Sequence, residues 1–389
     1  MRLDAIRGFF LVIMAGVHVP SPVSHFLREP FGFTSAAEPF IFLSACLAGL
    51  VYGRVYGKSG SAAMSGKVWN RARLVYIVHL SLLLPVTLAA WIFAGQVVPL
   101  ANHFHDFLVH PWITLPLLPL LLHQSPLFDI LPMYVFFLLA TPLAFTRAKR
   151  HGWSVVLAVS AVIWLAGQFQ GAYFPTDSTQ WLPLRGGSFN LLAWQFLWTA
   201  GLALGETSQR RPLIPQPFRA RLAGLAAILV LTGLCARHGL AGWHINPNAS
   251  LDNVWLNKWT LGPLRLLNFA AWAALLLAWN PRPPAWLLKP TALLGRHSLA
   301  VFAFHLPMVI TATAVIQMLA LRDSLQTVLV LGVIGSLFLW ARWLEGNARQ
   351  RAMAAAQPVN TTKPLTWIQW LHQRELVSSG RLKSSLPTA

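Results

Sequence analysis

The sequence has few acidic residues and few cysteines. Its 389 residues include only 11 Asp and Glu against 30 Lys and Arg, and just two cysteines. Cys46 and Cys235 both lie within hydrophobic runs, which leaves no basis for a disulfide framework or a cysteine-based metal site. Charged residues make up 11% of the chain and hydrophobic residues 56%, which excludes an ordinary soluble protein.

Several catalytic motifs are also missing. The sequence has no G-x-S-x-G elbow, no H-E-x-x-H pair and no phosphate-binding glycine loop. It therefore lacks the residues that soluble hydrolases, metalloproteases and ATPases use for catalysis. His103, His105 and Asp106 have no further ligand at a defined spacing, and we expect no metal. The formal charge of +19 does not indicate nucleic acid, because the basic residues lie between hydrophobic runs and form no continuous patch with interleaved aromatics, so they suit lipid headgroups better.

Long apolar runs dominate what is present. A membrane-spanning helix needs roughly 20 apolar residues. Ten stretches approach that length: 6–23, 36–56, 72–96, 127–146, 153–171, 189–207, 221–237, 262–280, 298–318 and 325–343. The pattern predicts an all-α, polytopic integral membrane protein with a lipid bilayer as its partner. We expect a membrane domain over 1–345 and a polar cytoplasmic tail over 346–389, with a short amphipathic piece at Trp367–Leu371.

The distribution of basic residues predicts the orientation. An eleventh apolar stretch, 104–122, is interrupted by Pro111, Pro116 and Pro119. If it does not cross, only six of the 30 basic residues lie on the outer side: Arg28, Arg185, Arg237, Lys258, Arg265 and Arg322. Since Lys and Arg favour cytoplasmic loops, we interpret 104–122 as re-entrant or interfacial and expect both termini in the cytoplasm. Residues 1–20 have no cleavage site before Pro20 and are interpreted as a retained first span.

The first span carries two ionisable residues on one face. Arg7 and His18 are 11 residues apart, close to three helical turns, which separates them by about 16 Å along the axis. His18 then lies in the outer half of the membrane, where an ionisable side chain indicates function. The alternative is an interfacial histidine bonded to a backbone carbonyl.

Glu38 opens the second span at the level expected for His18. A carboxylate there would orient the imidazole of a general base and stabilise its charged form. The alternative is a carboxylate that offsets the helix dipole. Further along, Gly49, Gly53 and Gly57 are spaced by four, a pattern typical of close helix packing.

Basic and polar residues gather at the ends of spans on the cytoplasmic side. They suit an anionic nucleotide such as coenzyme A, and the candidates are Arg7, Arg71, Arg73, Arg296, Ser298 and His305. Taken singly, most of these residues are equally explained by topology, and Ser298 by helix capping.

A second polar set falls on the outer side. Amides beside an aromatic ring suit a sugar, whose ring stacks on indole while its hydroxyls bond to amides. The candidates on this side are Asp129, Asn190, Trp194, Gln195 and Arg265. Trp194 alone is equally well explained as an interfacial anchor.

Several segments resemble known families. The run from Leu3 to His18, with its R-x10-H spacing, resembles the first span of the transmembrane acyltransferase type 3 superfamily. Four further segments are similar to the OpgC family of osmoregulated periplasmic glucan succinyltransferases: 35–53, 129–134, 263–268 and 294–302. One departure is Ala45-Cys46 after Ser44, where the family is expected to have glycine.

The resemblance implies a multi-pass enzyme of the bacterial inner membrane. Such an enzyme moves an acyl group, succinyl in the named members, from cytoplasmic acyl-CoA to a periplasmic glucan, with no bound cofactor and acyl-CoA as co-substrate. It also implies that Arg7 and His18 are the functional pair. The outer candidates would then bind the acceptor or the acyl carboxylate, and Arg265 is the cation suited to the free carboxylate of a succinyl group. Two alternatives stay open: O-acetylation of another surface polysaccharide, and transport of a glycan or acyl carrier.

Overall fold

The computed structural model describes residues 2–93, 95–169, 186–209, 216–240, 254–281 and 283–356. All regular secondary structure in these ranges is helical. We number the helices α1 Arg2–His18, α2 Pro22–Leu27, α3 Ala37–Phe93, α4 Val98–His103, α5 His105–Val109, α6 Pro111–Leu117, α7 Ile130–His151, α8 Trp153–Phe169, α9 Leu191–Thr207, α10 Gln216–His238, α11 Pro263–Trp279, α12 Ala285–Arg296, α13 Ser298–Met318 and α14 Asp323–Ala356. The expected all-α class is confirmed.

The apolar helices make this a membrane protein. Five helices in the described part of the chain are long and apolar enough to cross a membrane, within α3, α7, α10, α13 and α14, and α8 and α11 are shorter apolar helices. Each of the ten predicted stretches overlaps a helix. Large apolar side chains such as Val162 and Ile228 are exposed, as expected for helices that face lipid. The number of crossings and the side of each terminus stay predictions.

The longest helix, α3, contains two of the predicted stretches. Its backbone departs from helical geometry at Gly60, where φ is 77° and ψ is −179°. Glycine adopts a positive φ at no steric cost, so it allows a sharp kink there. Consequently 36–56 and 72–96 follow one another through a kinked helical connection.

Residues 104–122 do not form one continuous helix. They contain α5 and α6, each at most seven residues long, and α6 begins at Pro111, a position where proline is well tolerated. Pro116 lies near the end of α6, and Leu121 adopts a positive φ of 59° beyond it. Such short pieces cannot span a hydrocarbon core, in agreement with the interfacial interpretation.

Glycines allow two pairs of helices to approach closely. A Cβ on Gly8 would collide with the carbonyl oxygen of Thr291, and one on Gly295 with that of Asp4, so α1 and α12 pack backbone to backbone. Helices α3 and α9 meet in the same way.

The predicted glycine pattern on α3 is confirmed at two of its three positions. Gly49 lies against the backbone of Leu202 and Gly53 against the side chain of Glu206, whereas Gly57 faces open space. The first two glycines therefore let α3 pack closely on α9, and the third contributes nothing to that contact.

The chain divides into two compact units, residues 1–342 and 343–389. The first contains every residue of the candidate site. Of the second, the structure describes 343–356, which continue α14 and include an exposed Arg349–Glu345 ion pair at 3.4 Å. The expected domain boundary after residue 345 stays a prediction, and Trp367–Leu371 lies outside the described residues.

Candidate active site

Helix α1 carries the two central residues along one side. Asp4 provides a carboxylate in its first turn, favourable at the positive end of the helix dipole, and His18 is its last residue. Arg7 and His18 both turn toward α13, where Arg7 meets Ser298 and His18 meets His305. The predicted common face is therefore present, and α13 is the helix it faces.

Arg7 has polar and aromatic neighbours. Its Nη2 donates to the hydroxyl of Ser298, and its Nη1 donates to the carbonyl of Gly295 at 3.5 Å. Asp4 Oδ1 lies 3.9 Å from Nη1, and the guanidinium carbon lies 5.8 Å from the ring centroid of Phe40. The Nε atom is buried without a hydrogen-bond partner. Arg7 thus keeps hydrogen-bonding capacity that the protein does not use.

A cavity of about 250 Å³ opens beside Arg7. Three of its lining residues, Arg7, Arg71 and Ser298, belong to the predicted coenzyme A set. The rest of the wall is largely apolar and aromatic, and includes Phe40, Tyr52, Tyr134, Trp198, Leu299 and Phe302. A cation pair at one part of an otherwise apolar cavity suits a ligand with an anionic end and an apolar or extended arm. Arg73 and Arg296 are exposed and are not part of its wall.

Aromatic rings separate the cavity from the histidines. Phe40 and Phe302 are stacked with centroids 6.2 Å apart, and Tyr134 lies 6.3 Å from Phe40. The ring of Phe302 also contacts His305, with the two ring centroids 4.7 Å apart. An extended arm in the cavity would therefore meet these rings before it reaches His305 and His18.

His18 and His305 form a pair inside the protein. His18 Nδ1 is 3.3 Å from His305 Nε2, and the rings are stacked at 5.5 Å with an interplanar angle of 21°. His305 is 2% exposed, and its Nδ1 lies 2.5 Å from the carbonyl oxygen of Phe302. His305 was expected among the coenzyme A ligands of the inner half, but its observed neighbour is the predicted base.

Glu38 has partners other than His18. Its Oε2 accepts from the backbone N–H of Ser35 at 3.0 Å and from the Ser35 hydroxyl at 2.6 Å, while Oε1 pairs with Arg265 Nε at 2.5 Å. This corrects the expected Glu38–His18 pair. The physical reason is that a carboxylate buried at 0% exposure needs a full cationic partner, which Arg265 supplies and a neutral imidazole does not.

Arg265 lies at the centre of a buried ionic cluster, which we define as Glu29, Glu38, Arg237 and Arg265. Arg265 Nη1 is 2.7 Å from Glu29 Oε1, and Arg237 Nε is 2.7 Å from Glu29 Oε2. Arg265 Nη2 is buried without a hydrogen-bond partner. The cluster joins the segment before α3 to α10 and α11, so it fixes the connection that follows the first span.

Lys258 lies close to this cluster, in the segment before α11. Burial, followed by the charge of Arg265, lowers the pKa of Lys258, while nearby carboxylates including Glu38 and Asp129 act in the opposite direction. Lys258 also interacts electrostatically with His18. Lys258 therefore adds a cation near both the ionic cluster and His18.

The other outer candidates make mainly structural contacts. Asp129 precedes α7 and accepts from the backbone N–H of Ser188 at 2.9 Å. Asn190 is the N-cap of α9 and accepts from the N–H of Ala193 at 2.8 Å. These two residues hold the described loop ahead of α9, and a part in acceptor binding stays a prediction for both.

Trp194 and Gln195 also have partners within the protein. Trp194 is 0% exposed and donates its indole N–H to the carbonyl of Trp259 at 3.0 Å. Gln195 bonds the hydroxyl of Ser160 at 2.6 Å and its carbonyl at 2.7 Å, across the α8–α9 contact. Sugar stacking on Trp194 would need its ring to be uncovered, so for these two residues acceptor binding also stays a prediction.

Sequence reasoning missed two features of the site. Glu29 was not selected, although a chain with only 11 acidic residues gives each buried carboxylate a strong need for a partner. The pairing of His18 with His305 was also missed, because nothing in the spacing shows which face of α13 meets α1.

The His103, His105 and Asp106 set was expected to hold no metal. Asp106 lies 3.5 Å from His105 and 3.9 Å from His123. Within the described ranges, no group of three or more His, Cys, Asp or Glu residues has the geometry to hold a metal ion.

Comparison with known proteins identifies one family. The family model described as OpgC protein matches residues 1–349, which is the whole of the predicted membrane domain and four residues beyond it. No curated protein and no solved structure matches the chain. The match includes every candidate residue named above.

Proposed function

The chain belongs to the OpgC family, and from that premise we propose that it transfers a succinyl group from cytoplasmic succinyl-CoA to a hydroxyl of a periplasmic glucan. Family membership supports an acyltransferase that modifies glucans. The observation that supports acyl-CoA as the donor is the cavity beside Arg7 and Arg71. This cavity lies next to the helix pair that contains His18 and His305.

The cavity suits coenzyme A in its distribution of charge. Arg7 and Arg71 would bind phosphate oxygens, and the apolar wall would hold the pantetheine arm. Ser298 keeps Arg7 turned toward the cavity. Arg73 and Arg296, exposed outside it, remain candidates for the remaining phosphates.

The chemical step needs a base and a path for its proton. In direct transfer, His18 takes the proton of a glucan hydroxyl, and the oxygen attacks the thioester carbon. The carbon–sulfur bond breaks, the proton passes from His18 to the departing sulfur, and the products are a glucan ester and the coenzyme A thiol. Alternatively His18 Nε2 attacks the thioester carbon, the carbon–sulfur bond breaks, and coenzyme A departs as the thiolate while His18 carries the acyl group as an acyl-imidazole. The glucan hydroxyl oxygen then attacks the acyl carbon, the carbon–nitrogen bond breaks, and the hydroxyl proton neutralises the thiolate, so the products are the same.

The thioester must pass the aromatic rings to reach His18. Phe302 lines the cavity, stacks on Phe40 and contacts His305, so we propose that binding of the arm displaces its ring. Trapping a labelled acyl-enzyme during turnover would decide for the acyl-imidazole route, and its absence with active enzyme would favour direct transfer.

The acceptor is proposed to approach from the opposite side. Lys258 and Asp129 interact electrostatically there, and Lys258 also interacts with His18. We keep Glu38 as a positioning residue that acts through Arg265, and Arg265 as a candidate for the succinyl carboxylate through its unused Nη2. With ten crossings and cytoplasmic termini, this side faces the periplasm.

The test is transfer of radiolabelled succinyl from succinyl-CoA to periplasmic glucan by purified protein. Wild type should label the glucan and His18→Ala should not, whereas His25→Ala, which alters an exposed histidine of α2, should retain activity. Labelling only from acetyl-CoA would replace the succinyl donor by acetyl. No labelling from any acyl-CoA, together with glycan uptake in vesicles, would favour the transporter.

A further inference from the structure

We propose that His305 is a positioning residue that fixes the tautomer of His18 and leaves its Nε2 as the basic nitrogen. The inference rests on the proposed function, in which His18 is the base. It assigns His305 to the outward end of the reaction path instead of to coenzyme A binding.

The hydrogen-bond chain has only one consistent direction when both histidines are neutral. The carbonyl oxygen of Phe302 can only accept, so the nitrogen 2.5 Å from it, His305 Nδ1, must carry the hydrogen. A neutral imidazole has one N–H, so His305 Nε2 is an acceptor. His18 Nδ1, 3.3 Å away, must then be the donor.

The neutral form of His305 follows from its surroundings. The ring is 2% exposed and packs on Phe302. Among the described residues, its ring nitrogens contact the Phe302 carbonyl and His18, and neither is anionic. A buried imidazolium without a carboxylate partner is costly, so the ring of His305 is neutral.

The consequence for His18 is a defined chemistry at each nitrogen. Its Nδ1–H is committed to His305, and its Nε2 carries the lone pair that accepts the proton of the glucan hydroxyl. When Nε2 is protonated, the Nδ1–H bond to His305 strengthens because its donor is then charged. Both routes of acyl transfer need this free Nε2, so the assignment applies to each.

A spectroscopic measurement tests the tautomer directly. Wild-type protein is prepared with ring-¹⁵N-histidine in lipid at neutral pH, and the His18 signals are identified by their loss in His18→Gln. Protonated and unprotonated ring nitrogens have well-separated ¹⁵N shifts. We expect a protonated Nδ1 and an unprotonated Nε2 for His18, and a proton on Nε2 of neutral His18 would overturn the inference.

Kinetics of two variants test the role in the reaction. His305→Leu removes the acceptor, and kcat should fall by about 100-fold, at the lower end of what acid–base catalysis contributes, while KM for succinyl-CoA changes little. His305→Gln places an amide oxygen near the position of Nε2 and should recover at least about tenfold of that loss. Equal loss in the two variants, or a loss confined to KM, would contradict a positioning role.

Failure of this inference can be told from failure of the proposed function. Active wild-type enzyme with the wrong His18 tautomer overturns the inference alone. Wild type that transfers no acyl group but shows the Nδ1–H tautomer overturns the proposed function and supports the pairing.

Discussion

Two arginines of this protein, one fully buried and one partly buried, have different surroundings. Arg265 has two carboxylate neighbours within 2.7 Å and is 0% exposed. Arg7 is held by a hydroxyl and a carbonyl, has a carboxylate at the longer distance of 3.9 Å, and faces a cavity. Since a buried charge must be compensated, the first is compensated by the protein, whereas the second leaves part of that compensation to a ligand. The difference separates an arginine that holds the fold from one available for binding.

Replacement of Arg265 tests the first half of this comparison and has the largest expected effect. Arg265→Leu leaves Glu29 and Glu38 buried with a lost partner, which should lower the free energy of unfolding by about 3–5 kcal/mol. The thermal stability of the purified protein in detergent measures the loss, and Arg28→Leu, at an exposed arginine, is the matched control.

One outcome would reverse the assignment for Arg265. If Arg265→Leu were as stable as wild type but preferred acetyl-CoA and succinyl-CoA equally, Arg265 would be the residue that binds the succinyl carboxylate. The ionic cluster would then be secondary to its function.

Replacement of Arg7 tests the second half. Arg7→Leu should lower kcat/KM for succinyl-CoA by roughly 10- to 100-fold, because a hydrogen bond to a charged group contributes about 1.5–3 kcal/mol. Thermal stability should change much less than in Arg265→Leu. Arg7→Lys keeps the charge without the planar fork and should be intermediate, and an Arg7→Leu protein that fails to fold would break the contrast between the two arginines.

The close α1–α12 contact is expected to hold the part of α1 that carries Arg7 in position. Gly295→Ala places a methyl group against the carbonyl of Asp4, one turn before Arg7, and should cost about 1–3 kcal/mol of stability with a parallel loss of transfer. Gly332→Ala is the matched control, since no atom lies within 4 Å of its added Cβ. Thermal stability and succinyl transfer are measured on both, and similar results would show that α1 tolerates displacement.

The smallest expected effect is at Gln195. Like Arg265, this residue has its polar partners within the protein. Gln195→Leu removes the bonds to Ser160 and should cost about 1 kcal/mol of stability, with KM for the glucan unchanged. Glucan titration with saturating succinyl-CoA checks this. A raised KM for the glucan would restore Gln195 to the acceptor site predicted from the sequence.

The helical character of the fold was predictable because long apolar stretches favour helices in lipid, and each of the ten stretches overlaps a helix. Five of the described helices are long and apolar enough to cross a membrane. The prolines of residues 104–122 predicted an interruption, and the structure has short helices there. Periodicity also placed Arg7 and His18 on one face of α1. These features depend on residues close together in sequence, for which helical geometry is sufficient.

The pairing across helices was not predictable from one sequence. Glu38 and His18 were expected at one level, yet the nearest strong cation to Glu38 comes from α11, 227 residues away. Helical geometry gives the face of each helix but not the rotation of one helix against another. In this protein that rotation decides which buried carboxylate meets which cation, and which imidazole meets His18.

The backbone carbonyl of Phe302 has one further consequence. With the hydrogens assigned as above, the chain from His18 through His305 ends on an atom that cannot release a proton. In the proposed reaction, a proton taken up at His18 Nε2 from the glucan hydroxyl has no exit along this chain and can leave only from Nε2 itself, to the departing sulfur. If the proposed function holds, the two histidines would move a proton locally without giving protons a route across the bilayer.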